Sequence, residues 1–161
     1  MKISLLISIF LLLAMSNLIA DDKAKDESAP VSQRTPSSEG AAVSFLNLKN
    51  GDEVPPTFTA KFLISGMGVA PAGSNIDNTG HHHLLIDVNE LPDMSQPLPS
   101  TGQIRHFGGG QGETELTLPE GEHTLQLLFA DYVHRPHDPV VISKKITITV
   151  SKDALQTEEQ P

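Results

Sequence analysis

Apolar side chains recur at every second position along most of this chain, the period of half-buried β-strands rather than of helices. In "TFTAKFLIS" (57–65), Phe58, Ala60, Phe62 and Ile64 share one side. In "HHHLLIDV" (81–88), Leu84, Ile86 and Val88 do the same, and in "EHTLQLLFAD" (122–131) so do Leu125, Leu127 and Phe129. Further strands are predicted at "AVSFLNL" (42–48), "ETELTL" (113–118) and "VVISKKITITV" (140–150), with a short one at "QIRHF". Between them stand turn formers: "KNGDEVPP", "PEG", and the Gly-, Pro- and Asn-rich stretch 66–80. No segment has a helical period. About six to seven short strands at this spacing predict an all-β fold, an antiparallel immunoglobulin-like β-sandwich. Such sandwiches carry a corner residue two positions before a buried residue of strand F, bonded back to the backbone upstream. His123, two before Leu125, is expected to fill that place.

The two ends depart from the pattern. Lys2 precedes an apolar run from Ile3 to Met15, then small and polar residues, as in a secretory signal over 1–20. Cleavage is expected after Ala20, with an earlier alternative at Ser16. The run is too short to span a bilayer comfortably, so a cleaved signal is expected, with an uncleaved anchor as the alternative, and no membrane span is expected once the signal is removed. Residues 21–42 are charged and rich in Ser and Pro, which predicts a flexible linker. The sandwich is then expected over 43–150, followed by a disordered tail over 151–161. The chain has no cysteine, so the domain must be held by its own core, and the location expected is periplasmic or secreted. Losing Lys2 with the signal leaves ten basic and twenty acidic residues. That balance repels phosphate backbones, which speaks against nucleic acid as a partner, and attracts cations.

Candidate chemistry rests on the seven histidines. Alternation places His82 on the apolar side of its strand and His81 and His83 on the other. In the predicted fold the triplet opens strand C, His134 and His137 lie in the F–G connection, and His106 precedes strand E, so these stretches should meet at one end. His81, His83, His106, His134 and His137 are therefore the candidate metal ligands, and copper or zinc is the cofactor that imidazole with carboxylate suits. Asp131 is expected as a carboxylate that orients an imidazole. An interaction or ligand-binding module whose histidines are structural is the alternative, with an unidentified small ligand or protein as partner. A metal-assisted enzyme stands third, and no catalytic residue is assigned. "GGGQG" (108–112) is followed by no helix and no Lys-Ser/Thr pair, which removes a phosphate loop from consideration.

"GHHHLLID", "HFGGGQGETELTLPEGEHTLQLLFAD" and "HRPHDPVVISKKITITV" together resemble an uncharacterised, mostly bacterial exported family, domain of unknown function 4399, over about residues 43–150. The shared features are the triplet His81–His83, the block His106–Gly110 and the pair His134 and His137. The resemblance implies the domain limits and supplies no chemistry of its own.

Overall fold

A computed structural model describes residues 34–156. The signal expected over 1–20, most of the expected linker and the end of the expected tail lie outside the described residues. The described residues form ten strands: β1 (Ala42–Phe45), β2 (Glu53–Val54), β3 (Thr57–Ser65), β4 (Gly68–Val69), β5 (Thr79–Ile86), β6 (Ile104–His106), β7 (Glu113–Thr117), β8 (Gly121–Ala130), β9 (Pro136–Ile142) and β10 (Ile146–Val150). They form two sheets. One has the order β1-β3-β7; the other runs β2-β10-β8-β5-β4, with β6 on β5 and β9 on β8. Pairing is antiparallel except where the two-residue strands β2 and β4 join their neighbours. The fold is the expected β-sandwich.

The sheets meet over one core. Phe58, Phe62 and Leu116 from the smaller sheet face Leu84, Leu125, Leu127 and Ile148 from the larger. These are the residues that two-residue alternation puts on one side of each strand, and burying them supplies the main drive to fold. A second, smaller cluster lies on the far face of the larger sheet. There Leu85, Ile104, Leu128 and Ala130 are covered by Leu98 and Met94 from the long connection between β5 and β6.

The strand count exceeds the expectation because the two-residue strands β2 and β4 form in stretches read as turns, and because the segment read as one strand over 140–150 is broken. At the break, Ser143 Oγ takes the Leu127 N–H at 2.9 Å and donates to the Lys144 carbonyl at 2.8 Å. The side chain satisfies backbone groups that a continuous ladder would pair. The described residues that flank the strands, 34–41 and 151–156, are also more ordered than their composition suggests. Ser37 N–H donates to Asp138 O and Asp138 N–H to Thr35 O, both at 3.0 Å, while Arg34 donates to the Pro136 and His137 carbonyls. The folded body thus begins by residue 34, held by polar bonds that an apolar-burial argument does not register. Beyond β10, Lys152–Gln156 form a short 3-10 helix, and Lys152 reaches Glu120 at 2.9 Å.

His123 takes the corner position. Its Nε2 donates to the Pro119 carbonyl, four residues upstream, at 3.0 Å. Its Nδ1 lies 2.7 Å from Asp87 Oδ2, and the other Asp87 oxygen accepts the Thr124 N–H at 2.8 Å. Replacing His123→Ala removes both side-chain bonds from the joint between β7 and β8. The expected cost is about 1–3 kcal/mol, read as a lower urea midpoint with the slope unchanged.

Candidate metal centre

Strand β5 presents two different faces. Leu84 and Ile86 point into the sandwich core, and His82 joins them, 1 % exposed. The His82 ring packs between Phe62 and Phe129, with centroids 5.3 and 5.1 Å away, and its Nδ1 lies 3.2 Å from the Gln111 carbonyl. His81 and His83 point to the far face, beside Leu85, and are 0 % and 1 % exposed. Antiparallel β6 pairs with β5 so that His106 stands opposite His83. Three imidazoles from two neighbouring strands therefore share one face of one sheet.

The connections converge on that face. Ala72 N–H donates to Gly108 O and Gly73 N–H to Tyr132 O, both at 2.8 Å, which ties the segment before β5 to the glycine run and to the β8–β9 hairpin. His134 sits in that hairpin with φ +68°, a conformation histidine adopts more readily than most residues. Its carbonyl accepts the Leu98 N–H at 2.8 Å, linking the hairpin to the connection that covers the second cluster. In the sequence Leu98 stands alone among prolines and polar residues, with no periodic partner to mark it as buried. The result is a cleft of about 220 Å³ bounded by His83, Leu98, Pro99, Ser100, His106 and His134.

The nitrogens of His81, His83 and His106 offer one ligand atom each, all within 4.8 Å of one another. Both nitrogens of His81 and Nδ1 of His83 are buried without a hydrogen-bond partner. Burial first, then the neighbouring His106 and His134, pushes the His81 pKa down to about 4 against the opposing pull of Asp131. Burial first, then His81, His106 and His134, pushes His83 down to about 2, weakly opposed by the His81 backbone. His106, at the exposed rim, is lowered by desolvation and by His134. At neutral pH His81, His83 and His106 are uncharged, the form in which an imidazole binds a metal.

Two expected participants lie elsewhere. His137 is fully buried, but its ring stacks on Phe129 at 6.0 Å, on the core side of the sheet with His82. Its Nδ1 is 3.3 Å from the Thr35 carbonyl. The sheet separates it from the cluster. Asp131 orients no imidazole through a hydrogen bond; it accepts from Thr35 Oγ1 (2.7 Å) and from the N–H groups of Val133 (3.0 Å) and Arg135 (2.9 Å). Its role is to fasten the hairpin that carries His134.

Gly108 has a steric reason. A Cβ there would stand 2.5 Å from His106 Nε2, so only a residue without a side chain lets the ring lie where it does. Gly108→Ala is expected to push His106 out of the cluster. For a metal ion held by this cluster, affinity should then fall at least about tenfold, the loss expected for a ligand-orienting residue. Gly102→Ala, where a Cβ meets open space, should leave affinity unchanged; isothermal titration of the two variants checks the pair.

The family model for the Domain of unknown function (DUF4399) matches residues 60–151. The chain belongs to this family. The DUF4399 match runs from β3 through β10 and so includes all seven histidines, while β1, β2 and the ordered segment before them lie outside it. No curated protein and no solved structure matches the chain. Among the described residues, no helix is long and apolar enough to cross a membrane.

Proposed function

We propose that this DUF4399 protein is an exported binding protein for a divalent metal ion, of the copper or zinc kind, held by His81, His83 and His106. The supporting observation is the set of buried ring nitrogens without partners at the junction of β5 and β6. Leaving one buried polar atom unpaired costs about 1–3 kcal/mol, and His81 has two such atoms in its ring. An ion accepts lone pairs from several rings at once, which turns a cost of folding into a gain on binding. The nitrogen donors and the absence of cysteine suit borderline divalent ions more than soft ones. The N-terminal apolar run supports export, and the acidic chain favours cations over anions.

The test uses tag-free mature protein stripped with chelator and titrated with Zn(II) or Cu(II). One ion per chain and a higher unfolding temperature, reversed by chelator, are expected. At a free concentration about a hundredfold above Kd the gain is about 2.7 kcal/mol, or roughly 10 °C for a body of this size. No uptake and no thermal shift with either ion would sink this reading and put the interaction module in its place.

A further inference from the structure

Distances among the rings point to a particular coordination geometry, and this inference rests on the metal reading above. Three imidazoles bring ligand atoms within 4.8 Å of one another, and a fourth ring, His134, stands beside them. Ring centroids are separated by 4.8 Å for His81–His83, 4.9 Å for His81–His106 and 5.1 Å for His81–His134. The remaining pairs are 5.2 Å for His83–His106, 6.0 Å for His83–His134 and 4.5 Å for His106–His134. With metal–nitrogen bonds of about 2.0–2.1 Å, each ring centre stands about 3.2 Å from the ion, so tetrahedral ligands have centroids about 5.2 Å apart in every pair. A square-planar set instead needs four separations of about 4.5 Å and two diagonals of about 6.4 Å between opposite rings.

The observed separations scatter around the tetrahedral value. A square would need a second long diagonal opposite His83–His134. That pair is His81–His106, and it is 4.9 Å. We propose that His134 closes a tetrahedral centre of four imidazoles, and that its resident ion is Zn(II) rather than one that prefers tetragonal coordination, such as Cu(II) or Ni(II). The elements divide the task. His83 and His106 are fixed by the pairing of β5 with β6, and His81 by the pairing of β5 with β8. His134 rides on a hairpin and lines the cleft beside them. Asp131, the nearby carboxylate, is already engaged by Thr35 and the hairpin backbone, so it competes poorly for the ion.

Co(II) is the spectroscopic stand-in, because four-coordinate Co(II) absorbs far more strongly in the visible than six-coordinate Co(II). Mature full chain loaded with Co(II) is expected to show the intense four-coordinate bands, which one equivalent of Zn(II) bleaches. His134→Ala should still take up Co(II) through the three sheet ligands, at least about tenfold more weakly, with a spectrum shifted to higher coordination as water enters through the cleft. Should the alanine chain not fold, His134→Gln serves the same comparison. A weak six-coordinate spectrum in the parent, or identical spectra in parent and variant, would overturn the tetrahedral centre while leaving metal binding standing. Failure to bind Co(II) and Zn(II) would overturn the zinc centre, and failure to bind Cu(II) as well would overturn the metal reading with it.

Discussion

The His81→Leu, His83→Leu double variant is expected to take up no metal, yet its metal-free form should unfold at the same or a higher urea concentration than the metal-free parent. Ordinary reasoning about buried residues predicts a loss of stability, so the outcome is diagnostic. Both rings are buried beside Leu85, Leu128 and Ala130, where leucine finds apolar neighbours. The substitutions remove three buried nitrogen atoms that have no partner. Replacing an unsatisfied polar group by an apolar one of similar size is neutral or stabilising, whereas substituting a well-bonded core histidine is costly. With metal added the order reverses. The parent gains about 2.7 kcal/mol at a hundredfold excess over Kd and the variant gains nothing. A drop of several kcal/mol in the metal-free variant would instead identify these rings as structural and count against the metal centre.

Acid should destabilise the metal-free protein well before its carboxylates titrate. His81 and His83 have folded-state pKa values of about 4 and about 2 against an ordinary 6.5. Between those limits the unfolded chain binds protons that the folded chain does not. Stability is therefore full above about pH 6.5 and falls with pH through the window down to about 4 for His81, and further for His83. Each of the two rings contributes about 1.4 kcal/mol of loss per pH unit there. His82 and His137, also lowered by burial, act in the same direction. Urea midpoints measured from pH 7.5 to 4.5 in chelator should fall steeply in the parent and more gently in the double leucine variant. Equal slopes in the two proteins would refute the assignment of the effect to these rings.

Much of this was legible in the sequence where one strand carries the information. Alternation separated His82 from His81 and His83, because side chains on an unbroken strand change face at every residue. The spacing of His123 to Leu125 gave the corner. Convergence of His106 and His134 followed from immunoglobulin-type connectivity. His137 shows where counting stops. Between Phe129 and Ala130 the pairing of β8 with β9 shifts, so that Phe129 lies opposite Val141 and Ala130 opposite Pro136. Across such an irregularity the face of a residue cannot be counted from its neighbours. Asp131 was misplaced for a related reason: a carboxylate capping its own hairpin and one orienting a ligand leave the same trace in the sequence. The docking of residues 34–42 depends on main-chain and Arg34 bonds, which hydrophobic patterning does not encode.

The two faces of β5 have one more consequence. Its three consecutive imidazoles alternate between the sandwich interior and the cluster. A slip of a single residue against β8 would exchange every side chain between the two environments. Two rings would then crowd the space beside Phe129, one would remain for the ion, and Leu84 and Ile86 would lose the interior. Packing of Leu84 and Ile86 therefore proofreads which imidazoles reach the cluster, so misaligned chains lose the cluster and the core together.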